Sequence, residues 1–229
     1  MELPIIYQDA DYVVINKPAG MLVHRTPLAA AADVFALQVL RDQLGQEVFP
    51  CHRLDRPTSG VLVFALNKDA LRAAQEQFQN RTTTKTYLAV VRGWAPESGH
   101  IDYDLRSEEE PDKVQDAQTD LRRLAISELP IPSARYSSTR CSLLELRPRT
   151  GRKHQLRRHM AHIRHPILGD TRHGDGAQNR FLREYCGLQR LLLHASMLEL
   201  PVSAGKCLSF EAPLDSQFEQ VLEKLELKR

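Results

Sequence analysis

An aspartate set between two arginines, in the stretch His52-Arg53-Leu54-Asp55-Arg56-Pro57-Thr58-Ser59-Gly60, is the segment of this 229-residue chain best suited to chemistry. Nearby opposite charge favours the ionised carboxyl. An ionised carboxylate on a loop stiffened by Pro57 and Gly60 can act as a nucleophile or general base. The same aspartate could instead cap its own loop through backbone amides, and the residues alone leave both roles open. A second segment, Lys85-Thr86-Tyr87-Leu88-Ala89-Val90-Val91-Arg92-Gly93, reads as a strand with Lys85, Tyr87, Ala89 and Val91 on one face. Tyr87 could stack on a nucleobase, work as a weak acid or base, or simply fill a core. A third, Arg149-Thr150-Gly151-Arg152-Lys153-His154-Gln155-Leu156-Arg157-Arg158-His159, gathers cations around a glycine turn that opens a helix. Backbone N–H groups at such a helix start favour anions as well.

The elements that must position these groups follow from hydrophobic periodicity. Pro4–Tyr7 and Tyr12–Asn16 read as strands, and Lys17-Pro18-Ala19-Gly20 as a turn. Asp33 is a candidate N-cap for a helix carrying Val34, Leu37, Leu40 and Leu44 up to Gly45. Phe49–Gly60 is irregular and leads into a strand over Val61–Leu66; Asn67 can then cap a helix with Leu71, Ala74 and Phe78 on one face. Strands are expected at Ser142–Leu146, Leu191–Leu200 and Leu208–Glu211. Helices are expected around Leu156, Met160 and Ile163, over Gln178–Tyr185, and around Phe218, Val221, Leu222 and Leu225. Residues 94–137 are polar, Pro-bearing and weakly periodic, and read as an insertion or extended hairpin within one domain spanning 1–229. Successive strands with scattered helices predict an α+β fold: a mixed, mainly antiparallel sheet with peripheral helices.

Composition narrows the function classes. Hydrophobic residues make up 42% and charged residues 26%, the proportions of a globular chain. No apolar run approaches the roughly 20 residues of a membrane span. Met1–Asp9 lacks the basic and apolar regions of a secretory signal. Cys51, Cys141, Cys186 and Cys207 are widely spaced, which points to reduced thiols and a cytoplasmic protein. The net charge is only +2, but residues 147–172 hold eight arginines and lysines against one acid, Asp170, a local charge of +7. Five histidines lie in or beside this stretch: His154, His159, His162, His165 and His173. Such a run reads either as a solvated helix face or as a basic surface for a polyanion. His159, His162 and His165 recur every three residues, yet arginines around them would repel a cation and no acid or Cys ligand is adjacent, so no metal is expected.

Taken in order, these segments resemble the RluA family of pseudouridine synthases. HRLDRPTSG (52–60) is similar to the family's catalytic loop, KTYLAVVRG (85–93) to its tyrosine motif and TGRKHQLRRHM (150–160) to its basic motif; NKPAGMLVH (16–24), HPILGD (165–170) and LLLHA (191–195) fit as well. The resemblance runs from about Ile5 to Pro213. It implies an isomerase that breaks the N1–C1′ bond of a uridine, turns the base and rejoins it through C5, with no cofactor. It implies Asp55 as the catalytic carboxylate, Arg157 as its pairing partner and Tyr87 stacked on the extruded uracil. Arg53 would fill the gap in the RNA, and Arg152, Lys153, Arg158 and Arg164 would grip phosphates. The branch without an S4 RNA-binding domain is the most similar, which implies tRNA as the substrate, at uridine 65 of the T stem, and a monomer without protein partners. A ribosomal RNA synthase of the same family, a non-catalytic RNA-binding protein and an N-glycosylase that releases free uracil are the alternatives.

Overall fold

The computed structural model describes residues 2–24, 34–110, 112–133, 136–202 and 205–227. The chain divides into two compact units. One holds Met1–Lys85 and Ala195–Pro213, the other Thr86–His194 and Leu214–Arg229. The architecture is α+β with antiparallel pairing at each ladder described below.

In the first unit β1 (Ile5–Gln8) pairs with β2 (Tyr12–Lys17), and β2 with β4 (Ser59–Ala65). The two-residue β3 (Phe49–Pro50) also pairs with β4, and β11 (Leu193–Pro201) pairs with β12 (Cys207–Glu211). Every residue of β4 is buried, which is why its sequence is an unbroken small and apolar run instead of an alternating one. Helix α2 (Lys68–Gln79) starts where Asn67 accepts the Ala70 N–H at 2.8 Å, and packs Ala70, Leu71, Ala74 and Phe78 on Val61, Val63, Leu198 and Phe210. Helix α1 (Ala36–Leu44) ends at Gly45, whose φ of 66° suits glycine. The Asp33 cap lies outside the described residues; the described N-cap is Phe35, without a side-chain cap.

Gly60 opens β4 at a φ of +114°, and a Cβ there would lie 2.1 Å from the Ala195 carbonyl oxygen. Backbone cannot swing aside as a side chain can. Gly60→Ala is therefore expected to cost at least about 3 kcal/mol, a fall of roughly 6–12 °C in Tm at this chain length. A thermal melt within about 2 °C of the parent would contradict this account of the β4 entrance.

In the second unit the strand order is β5 (Thr84–Arg92), β10 (Thr139–Pro148), β9 (Gln118–Leu129), β6 (Ser98–Asp102), with β5 beginning in the first unit. Alternation splits the core in two. Val90 and Leu143 face α4 (Gly176–Cys186) and α5 (Ser216–Lys224) through Leu182, Phe218, Val221 and Leu222. Ala89, Val91, Leu144 and Leu146 face α3 (Gln155–His162) through Leu156 and Met160. Asp175 and Asp215 cap α4 and α5. Within segment 94–137, read as an insertion or extended hairpin, β6 and the 12-residue β9 pair antiparallel as strands of this sheet. Among the described residues, β7 (Leu105–Arg106) and β8 (Val114–Gln115) stand apart as a two-stranded ribbon.

Candidate active site

In the first unit Asp55 lies on the loop between β3 and β4 and is partly buried. Its carbonyl accepts the Thr58 N–H at 3.1 Å, closing a tight turn over Arg56 and Pro57. That turn is fastened to the Pro18–Met21 turn. Gly20 N–H donates to the Arg56 carbonyl at 2.8 Å, and Arg56 Nε donates back to the Gly20 carbonyl at 2.9 Å. Lys17 completes the clamp. It is 0% exposed, and its Nζ donates to the carbonyls of Pro18 (2.9 Å), Met21 (2.8 Å) and Arg56 (3.3 Å). Burying an ammonium is costly unless its donors are met, so three carbonyl acceptors fix the backbone next to Asp55. The sequence reading took 17–20 as a turn and missed this role. The signal was a lysine ending an otherwise apolar strand.

Around this loop, Arg53 is exposed. His52 is structural: its Nε2 accepts the Val63 N–H at 3.1 Å and its ring lies 5.0 Å from that of Phe78. Desolvation, reinforced by the charge of Lys85, pushes its pKa down to about 3, so it stays neutral. Thr58 is buried and its Oγ1 has no hydrogen-bond partner among the described residues.

In the second unit Tyr87 sits on β5 opposite Leu146, half-buried against the cluster of Ala89, Val91, Leu156 and Met160. Arg157 lies on α3 and is 5% exposed. Its Nε and Nη2 both reach the Asp170 carboxylate, each at 2.8 Å. Asp170 also accepts the N–H groups of Arg172 (2.9 Å) and His173 (3.0 Å). Burial pushes its carboxyl up, but Arg157 and those two amides outweigh it and hold the pKa below the usual 3.8.

The start of α3 is organised by Gln155, which the sequence reading did not single out. Its Oε1 accepts from the Arg152 N–H (3.0 Å) and the Thr150 hydroxyl (2.7 Å), and its Nε2 donates to the Gln118 carbonyl (2.9 Å) and Thr119 Oγ1 (3.1 Å). His154 takes a left-handed φ of 55° to enter the helix. These bonds tie the basic turn to β9.

The basic run is less bare than its sequence suggested. Arg147 pairs with Glu145 (3.1 Å), Arg149 with Asp120 (2.6 Å), and Arg152 with Asp116. Lys153 reaches Glu109 (3.2 Å) and Glu108 (3.5 Å), and Arg172 reaches Glu108 (3.1 Å). Arg158 and Arg164 have no acidic partner among the described residues. Arg158 Nη1 donates to the Arg106 carbonyl at 2.9 Å, and Arg164 is exposed.

The three histidines at regular spacing go separate ways. Buried His159 lies between Thr119 Oγ1 and the Tyr103 carbonyl, at 3.0 Å each; burial lowers its pKa, and the carbonyl requires the proton on Nε2. His162 stacks on Tyr103 with centroids 3.6 Å apart, and His165 Nδ1 lies 2.8 Å from the Arg92 carbonyl. A different trio, Glu108, His154 and His173, brings its ligand atoms within 4.8 Å of one another, but Glu108 is already held by Arg172 and Lys153.

Comparison with known proteins covers both halves of this arrangement. The family described as RNA pseudouridylate synthase matches residues 11–162. The tRNA pseudouridine synthase C of Haemophilus ducreyi is 50% identical over 96% of this chain and 95% of its own. That of Vibrio cholerae is 54% identical over 86% and 84%. Among solved structures, human RNA pseudouridylate synthase domain containing 4 is similar with a TM-score of 0.79 at 29% identity, covering 99% of this chain and 94% of the other.

Proposed function

The chain belongs to the RNA pseudouridylate synthase family, and on that premise we propose that it converts one uridine of tRNA, uridine 65 of the T stem, to pseudouridine. The name carried by relatives about 50% identical over nearly the whole chain is the observation that carries the choice of tRNA. The uridine must leave its stack before C1′ can be reached, so the base is flipped out. Asp55, on its clamped loop, is the carboxylate that acts on the sugar or the base. Tyr87 stacks on the extruded uracil. Arg157, its guanidinium held by Asp170, pairs with the Asp55 carboxylate and keeps it ionised and oriented, and Arg53 fills the vacated position in the RNA. No cofactor enters the reaction, and the enzyme works in the cytoplasm as a monomer.

Pseudouridine mapping in RNA from a strain lacking this gene tests the substrate. Loss of the modification at uridine 65 of tRNA is the expected result. An intact position 65 with a site missing from ribosomal RNA would overturn it.

Arg152, Lys153, Arg158 and Arg164 hold the phosphates in this reading. Each such contact contributes a log–log salt slope of roughly −0.7 to −0.9. Arg158→Ala should therefore weaken binding to structured RNAs alike and flatten the slope by about one unit. It should leave the modified position unchanged, because phosphate contacts position without reading sequence. Identical slopes for parent and variant would return Arg158 to a solvated face.

A further inference from the structure

The connection between β7 and β8, described at residues 107–110 and 112–113, places acids on the basic run. Its base is anchored: Leu105 and Ala117 are buried, and Leu105 pairs with Gln115. The turn is shaped locally. Ser107 N–H donates to the Lys113 carbonyl at 2.8 Å, and the Ser107 hydroxyl accepts the amides of Glu109 (3.2 Å) and Glu110 (3.1 Å). Across from it, Glu108 meets Arg172, Lys153 and, at 3.4 Å, His154 Nδ1, while Glu109 meets Lys153. Asp116, at the foot of the ribbon, takes Arg152 through both its carboxylate and its carbonyl. Thus two of the four cations assigned to RNA phosphates, Arg152 and Lys153, hold carboxylates in the free protein.

We propose that this ribbon is an internal phosphate mimic: Glu108 and Glu109 occupy phosphate positions on the RNA surface and are displaced when tRNA binds. The proposal rests on the reading of the basic run as that surface. Glu108 is half-buried, but its cations Lys153 and Arg172 are exposed, and ion pairs open to water on one side are individually weak, so the strap yields to an RNA that presents several phosphates together and releases counterions at each. An RNA that engages only one or two cations does not displace it. The strap therefore acts on specificity, suppressing loose binding of RNAs that fit the surface poorly.

The experiment compares three proteins with the parent by titration against tRNA and against an unrelated RNA hairpin, at fixed salt. The strap variant is Glu108→Gln with Glu109→Gln. The charge control is Glu76→Gln with Glu223→Gln, exposed acids on α2 and α5 that pair with none of these cations among the described residues. The third is Arg158→Ala. The strap variant is expected to bind the hairpin about tenfold tighter and tRNA less than that, narrowing the preference, while the control changes either affinity less than about twofold. Equal tightening by strap variant and control would reduce the effect to net charge and overturn the proposal. No tightening by the strap variant, with Arg158→Ala still weakening binding, overturns the strap alone. Unchanged binding by Arg158→Ala as well removes the RNA surface itself, and the strap with it.

Discussion

Asp55→Asn is expected to abolish pseudouridine formation while leaving tRNA affinity within about twofold of the parent. The amide matches the carboxylate in shape but is neither nucleophilic nor basic, so a loss of at least roughly 10³-fold, about 4 kcal/mol of transition-state stabilisation, follows. The loop should survive the change. Its fastening runs through backbone groups of Asp55, Arg56 and Gly20 and through Lys17 and Arg56, none of which the substitution alters. Retained binding with lost turnover separates a chemical role from a structural one. Turnover near that of the parent would leave Asp55 as a loop cap, the bland reading its sequence context also allows.

The second large effect is expected at Asp170. Arg157 and Asp170 form a bidentate pair with side chains only 6% and 1% exposed. Removing one partner of such a pair leaves a buried charge without compensation, at about 3–5 kcal/mol. Asp170→Asn should therefore lower the urea midpoint at neutral pH and weaken activity with it, since the guanidinium of Arg157 loses the group that orients it. The pH dependence has a definite sign. A carboxyl whose pKa is lowered on folding stabilises the protein above its unfolded value, near 3.8, and loses that contribution as pH falls through the folded value. The gap between parent and variant should therefore be widest near pH 7 and close in strong acid. A gap that stays constant from pH 7 to strong acid would mean the pair is not what the substitution removes.

Which parts of this molecule can be read from its sequence depends on whether the cause is local. Asn67 capping α2, Gly45 ending α1 in a left-handed conformation and the apolar run of β4 are local, and each appears where the residues placed it. Strand β9 is different. Its burial alternates only at its ends, so residues 118–129 look merely polar, and its place in the sheet is set by pairing with β10 and β6. The charge run shows the same limit. Residues 147–172 look bare because their partners Glu108, Asp116 and Asp120 lie about 30–65 positions upstream and are brought close only by the fold. The motif residues stand out by their types and order. What holds them does not: Lys17 under the Asp55 loop, Gln155 at the start of α3 and Asp170 on Arg157 act through long-range hydrogen bonds that no spacing rule reveals.

In the proposed reaction the uracil leaves its sugar and returns to it. Unmodified tRNA transcribed with uridine tritiated at C5 tests it most directly, because rejoining through C5 expels that hydrogen while the base stays in the chain. The purified protein is expected to release one equivalent of tritium to water per tRNA, with no free uracil and with pseudouridine recovered on digestion. Free uracil in place of pseudouridine would identify a glycosylase, and an absence of tritium release with tRNA still bound would leave only an RNA-binding protein.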